Sequence, residues 1–191
     1  MEKNYTEGKE FSNTNFSENK LTEGDYENCV FSNCNFSNAD LSRIDFIDCV
    51  FRGCNFSLTK LVQTSLRDVQ FRDCKLVGLH FENCKDDLLF SVSFENCTLN
   101  VSSFYKRKLK KTSFLNSTLN EVDFTETDLS GSVFDNCDLL NTKFENTLLE
   151  KVDFRTAYNY SIDPDLNRVK KARFSSNGLA GLLGKYDIEI S

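Results

Sequence analysis

The chain has 191 residues and a formal net charge of −6, with a pI near 4.9; this is room for one or two domains, and the acidic balance disfavours direct, non-specific nucleic-acid binding, because phosphate contacts need a clustered positive face. Phe 18 beside Trp 0, Met 1 and Pro 1 suggests one packing unit used repeatedly rather than an irregular core. No apolar run approaches the ~20 residues of a membrane span, and the charged start MEKNYTEGKE lacks a signal-peptide hydrophobic region, so a cytoplasmic location is expected.

Residues 1–8 read as a short tail. From Phe11 onward an apolar residue returns every five, through Phe16, Leu21, Tyr26 and Phe31 to Leu76 and Phe81. A period of five matches neither the 3.6 of a helix nor the 2 of a strand. It fits a chain that points two residues inward, two apart, and then turns a corner. The residue two before each centre is small or aliphatic, as at Cys29, Cys34, Ala39, Ile44, Cys49 and Cys54. The residue two after it is often Asn, which suits tight turns. A period of twenty lies over the period of five: Phe11, Phe31, Phe51 and Phe71 match, as do Leu21, Leu41 and Leu61. Residues twenty apart are therefore expected to stack, four pentapeptides to a coil. About seven coils at ~4.8 Å per step make a rod roughly 34 Å long.

The register breaks at residues 82–88, ENCKDDL, where three extra residues enlarge one repeat. A second register is expected with Leu89 and Phe94 as its first centres, running to Leu149 and Phe154. Asp87 and Arg107 both stand two before a centre, where a small residue is the rule, and they are twenty apart. They are expected to stack as a partly buried ion pair. The alternative is that Asp87 swings into solvent while Arg107 snorkels outward.

After Phe154 the pattern weakens. Asn159 and Pro164 occupy centre positions within an irregular segment, 157–168, before Val169 and Phe174 restore the phase. The last segment, 175–191, changes character. Leu179, Leu182, Leu183 and Tyr186 have helical spacing, while Ile188 and Ile190 alternate as in a short strand. An open solenoid end must be capped or paired, so this segment is expected to be an intramolecular cap or a homodimer interface.

Across roughly residues 9–156 the repeats read like Cys34-Asn-Phe-Ser-Asn, Ala39-Asp-Leu-Ser-Arg and Cys54-Asn-Phe-Ser-Leu. In this the chain resembles the pentapeptide-repeat family, whose motif is Ala or Cys, Asp or Asn, Leu or Phe, then two variable residues. The resemblance implies an all-β fold, a right-handed quadrilateral β-helix over residues 9–174, here followed by a short helix and strand. The tail also resembles the C-terminal segment of the quinolone-resistance branch, whose members dimerise end to end there, and this implies a homodimer. That branch is understood to act on DNA gyrase and topoisomerase IV by imitating DNA, so a gyrase partner and fluoroquinolone protection are implied as well. Its members from Gram-negative bacteria carry projecting loops, whereas here only the surplus at 82–88 could project.

Nothing in the sequence points to catalysis. The nearest cysteines are five residues apart, not the two to four between zinc ligands, and at packing positions free Cys acts as a small hydrophobe. His80 stands alone, the serines lie at corners with no base to activate them, and no phosphate-binding glycine motif occurs. Neither enzyme activity, metal nor cofactor is expected. Charge is more informative. KRKLKK at 106–111 and the group Arg168, Lys170, Lys171 and Arg173 form basic clusters, and residues 112–165 between them hold eleven acids and three bases. Glu121, Glu126, Asp128, Asp135 and Asp138 are the candidate acidic partner-binding surface, where electrostatic complementarity would speed an encounter. Three readings remain open: a DNA mimic that binds topoisomerases, a scaffold or regulator with an unrelated protein partner, and contact of KRKLKK with nucleic acid or an anionic surface.

Overall fold

The computed structural model describes residues 4–85, 89–186 and 188–189. Its strands are β1 (Asn4–Glu7), β2 (Glu10–Ser12), β3 (Gly24–Glu27), β4 (Val30–Ser32), β5 (Asp45–Ile47), β6 (Val50–Arg52), β7 (Ser65–Arg67), β8 (Val69–Arg72), β9 (Val92–Glu95), β10 (Ser113–Leu115) and β11 (Val133–Asp135). The strands β1, β3, β5 and β7 form one parallel ladder, and β2, β4, β6, β8, β9, β10 and β11 form another. Paired residues are twenty apart, as in Phe31↔Phe51 and Phe114↔Phe134, except across the break, where Phe71 pairs with Phe94. Isolated parallel bridges such as Asn35↔Asn55 and Asp123↔Lys143 build the other two sides. The molecule is a right-handed quadrilateral β-helix, with sides one to four following the columns that start at Phe11, Phe16, Leu21 and Tyr26.

Each position of the pentapeptide has a physical task. The centres fill the axis. Phe11, Phe31, Phe51, Phe71, Phe94, Phe114, Phe134, Phe154 and Phe174 stack along side one in an unbroken column, with centroids 4.6 to 5.5 Å apart. Neighbouring sides meet edge to face, as Phe51 and Phe56 do at 4.9 Å and 87°. The residue before each centre closes the turn locally. Asn35 Oδ1 accepts from the Ser37 N–H at 3.1 Å, and Asp123 Oδ1 accepts from the Thr125 N–H at 2.8 Å.

The small residue two before the centre also donates. Thr59 Oγ1 donates to the Phe36 carbonyl and Thr142 Oγ1 to the Leu119 carbonyl, both at 2.7 Å, and Cys49 Sγ to the Tyr26 carbonyl at 3.2 Å. Buried carbonyls of one coil are thus satisfied by hydroxyls and thiols of the next. This is why Cys, Ser and Thr interchange there.

The corner two after the centre takes left-handed backbone, with φ of 54° at Asn33, 54° at Asn96 and 52° at Asn146. Asn accepts that conformation locally. Val101 adopts it too, with φ 52°, although its β-branched side chain is 49% exposed and gains little from packing. Val101→Asn is therefore expected to stabilise the fold by about 1 kcal/mol, read as a raised midpoint in urea unfolding. An unchanged or lowered midpoint would show that the corner is unstrained.

At the break the sequence reading needs one correction. Leu89, expected as a centre, is 58% exposed, and Phe90 packs against the core instead. The surplus residues take the chain off the ladder, so the phase need not resume on a multiple of five. The Phe90 ring also faces the guanidinium of Arg107, whose Cζ lies 4.2 Å from its centroid, a contact Leu89 could not make.

Beyond Phe154 the coil continues. Leu148 bridges to Arg168 and Asp153 to Arg173. Tyr160 and Ile162 are buried beside the unsuitable centre positions Asn159 and Pro164, and Asn167 takes the donor role toward the Phe144 carbonyl at 2.9 Å. The tail then forms 3-10 turns over Ser176–Leu182 and Gly184–Tyr186. The first is pinned to the rod end by the Ile162 N–H, which donates to the Gly181 carbonyl at 2.8 Å. Gly178 and Gly181 lie so close to Tyr160 that neither has room for a Cβ. Ile188 and Glu189 take no strand, and Ile190 lies outside the described residues.

Candidate interaction surface

All eight cysteines are free and buried. Burial pushes the Cys49 and Cys137 thiols up to about 12, so they stay protonated and unreactive near neutrality. His80 is exposed and meets Glu82 at 2.8 Å. Among the described residues no group of His, Cys, Asp and Glu could hold a metal ion, and no helix is long and apolar enough to cross a membrane. What the rod presents to a partner is its outside.

The five acids singled out from the sequence do not converge. Glu121 and Glu126 sit on successive corners, with φ 59° and 55°. Asp128 lies on side four in the ladder Lys108–Asp128–Leu148, and Asp138 on side two between Thr118 and Tyr158. Asp135 is on side one in β11. Several already have partners. Lys110 reaches Asp128 at 3.2 Å and Lys106 reaches Glu126 at 3.5 Å. Asp135 accepts from Thr156 Oγ1 at 2.7 Å, and Asp138 from Asn159 Nδ2 at 2.8 Å. Asp128 is held below the usual carboxylate range, against its own desolvation, by hydrogen bonds from Ser130 and by the Lys110 ammonium.

A second acidic group lies on side four and its corner in the N-terminal coils. Asp48 and Asp68 are exposed corner residues with φ 51° and 52°, while Asp25 and Glu27 in β3 are half-buried, Glu27 accepts from Tyr5 Oη at 2.7 Å, and Arg67 in β7 stands beside Asp68. Sequence reasoning passed over this group, although Asp48 and Asp68 stand twenty apart, which was the available signal. The same side holds a bridge spanning two coils: Lys85 Nζ donates to both carboxylate oxygens of Asp45, at 2.7 and 3.0 Å. The Asp45 side chain is only 11% exposed.

At the break, Asp87 lies outside the described residues. Arg107 does not snorkel outward: it is 5% exposed and donates to the carbonyls of Cys84 at 3.4 Å and Lys85 at 2.9 Å. Main-chain carbonyls thus receive its charge. The tail residues divide in two. Leu182 packs against the core and Leu183 is half-buried, whereas Leu179, Tyr186 and Ile188 are exposed at the rod end. Lys185 fastens this end to Asp163 at 2.7 Å and also to Asp165.

A family model described as a pentapeptide repeat region matches residues 24–86 and 88–159. No curated protein sequence matches the chain. Among solved structures, a trypsin-treated variant of QnrB1, described as a plasmid-mediated fluoroquinolone resistance protein, is 18% identical with a TM-score of 0.64. The match covers 98% of this chain and 100% of that one. A second trypsin-treated QnrB1 variant gives 18% and 0.63 over 97% and 99%. HetL from the cyanobacterium Nostoc, a pentapeptide repeat protein involved in heterocyst differentiation regulation, gives 15% and 0.45 over 91% and 90%.

Proposed function

The chain belongs to the pentapeptide repeat family, and on that premise we propose that it is a cytoplasmic, non-enzymatic interaction protein that engages DNA gyrase or topoisomerase IV by imitating DNA and so protects against fluoroquinolones. The observation that carries this reading is the pair of exposed acidic corners Asp48 and Asp68, stacked on successive coils of the rod. The corner backbone is bonded coil to coil, so these two charges are held one coil step apart. A basic DNA-binding saddle would be drawn to such a pair and oriented by it. QnrB1, whose fold this chain shares, is a plasmid-mediated fluoroquinolone resistance protein, which agrees with the reading.

The test is gyrase supercoiling in the presence of ciprofloxacin, with and without the purified protein. Restored supercoiling supports the proposal. Neither inhibition nor protection at stoichiometric excess would sink it. A second reading, a scaffold or regulator for an unrelated protein partner, is favoured by one observation: Glu121, Glu126, Asp128, Asp135 and Asp138 are spread around the rod rather than gathered on one side.

The same proposal includes a homodimer through the tail. Leu179, Tyr186 and Ile188 form its outward apolar residues, with Leu182 and Leu183 supporting them from the cap. Leu179→Asp with Tyr186→Asp is expected to halve the sedimenting mass and leave the circular dichroism unchanged. An unchanged mass would place the interface elsewhere or leave the chain a monomer.

A further inference from the structure

We propose that the C-terminal coils of side four, with the corner ridge beside them, form a second docking surface that binds the phosphate backbone of a nucleic-acid duplex without reading its sequence. The net charge of −6 conceals a sharp segregation. Along the corner after side four the N-terminal coils carry Asp48 and Asp68, and the C-terminal coils carry Lys111, Lys151 and Lys171, with Gly131 between the first two lysines; all take left-handed φ. The stacking is continuous: the Lys111 N–H donates to the Ser130 carbonyl, Gly131 to Glu150, and Lys151 to Lys170. Beside the ridge, Lys108, Lys110, Arg168 and Lys170 are exposed on side four. The acids within this stretch are Asp128, already held by Lys110 at 3.2 Å, and Glu150. Where the surface meets the break, a cleft of about 400 Å³ is lined by Lys108, Lys110 and Lys111 beside Phe90 and Thr112.

The arrangement selects the kind of polyanion. Lys111 to Lys171 spans three coil steps, roughly 14 Å at ~4.8 Å each. The corner cations therefore form a row interrupted by Gly131, and on the adjoining side Lys108 and Lys110 stand at one end and Arg168 and Lys170 at the other, with Asp128, Ser130, Leu148 and Glu150 in the two coils between. Such a row, flanked at each end by a pair of cations, fits a linear chain of phosphates, whose affinity comes from counterion release and needs no pocket. An acidic peptide would need an unpaired strand edge or buried apolar anchors. The main chain of the ridge is spent on coil-to-coil bonds, and Leu148, which stands between Asp128 and Arg168 on side four, is half-buried. An anionic membrane would draw on aromatic or aliphatic side chains that insert, and the ridge itself presents lysines. No side chain here is placed to read base edges, so binding should be indifferent to sequence. This surface is distinct from the acidic corners, and either can fail without the other.

The experiment is fluorescence anisotropy with a labelled 20-base-pair duplex of arbitrary sequence, repeated at several salt concentrations. Engagement of about four phosphates predicts a log–log salt slope near −4, a loss of roughly a hundred-fold or more between 50 and 200 mM salt. The variant Lys111→Glu, Lys151→Glu, Lys171→Glu should abolish binding. It should also fold, because this chain accepts Glu at equivalent corners, Glu121 and Glu126, with φ 59° and 55°. Lys151→Glu alone should weaken binding several-fold, whereas Lys143→Glu, an equal single charge reversal on side three, should leave affinity within twofold of the parent. No binding at 50 mM salt, equal loss in the Lys143 variant, or binding to phosphatidylserine vesicles in place of DNA would each overturn the proposal.

Discussion

Phe114→Ala is expected to destabilise the protein by about 3–5 kcal/mol, and to split its unfolding into two transitions. Phe114 is fully buried and sits between Phe94 at 5.1 Å and Phe134 at 4.7 Å in the side-one column. Its removal leaves a void that neither neighbour can fill without leaving its own coil. A solenoid is held together by contacts between successive coils, so a gap at mid-column uncouples the halves on either side. Phe11→Ala, at the half-buried end of the same column, should cost well under half as much and leave a single transition. Urea titrations followed by circular dichroism separate the two cases. Equal losses at Phe11 and Phe114 would mean that the column does not carry the cooperativity.

Lys85→Met is expected to cost about 2–3 kcal/mol, somewhat below the range for breaking a buried pair because Lys85 is partly exposed. The substitution leaves the Asp45 carboxylate, 11% exposed, without the ammonium that now contacts both its oxygens. Asp45→Ser should be milder, since Ser65 already occupies the same position one coil on. Combining it with Lys85→Met should recover most of the loss, because no buried charge then remains. A double-mutant cycle gives the coupling directly. Additive losses would show that the two groups do not depend on each other.

Much of this architecture could be read from residue spacing. The Phe columns, the left-handed Asn corners and the small positions all follow from periods of five and twenty, because a solenoid makes sequence separation nearly equivalent to spatial position. Where the chain leaves its ladder that equivalence fails. Leu89 and Phe90 are both apolar, and spacing does not say that Phe90 is the one packed against the core and under Arg107. The tail illustrates a different limit. Its apolar spacing announced a short helix, and one forms, as 3-10 over Ser176–Leu182, but the tight fit of Gly178 and Gly181 on Tyr160 depends on residues that spacing does not connect.

The candidate surface was legible in part. Asp45 and Lys85, forty apart, and Asp48 and Asp68, twenty apart, could have been found by following one column around the coils. The acids at 121–138 drew attention through their density in sequence, which four-sided winding disperses over the whole circumference. Charge density along the chain is thus a poor guide to charge density on a face of such a rod. Column position is the better one.

The central functional claim is that the acidic end of the ridge, displayed at coil intervals, engages a topoisomerase. It is tested most directly by comparing the parent protein with the Asp48→Lys, Asp68→Lys variant in ciprofloxacin-inhibited gyrase supercoiling. The corner tolerates lysine, as Lys111, Lys151 and Lys171 show, so the fold should be retained. The account predicts that the parent restores supercoiling and that the variant needs at least tenfold more protein for the same effect. Equal protection by the two, or none by the parent, would contradict it.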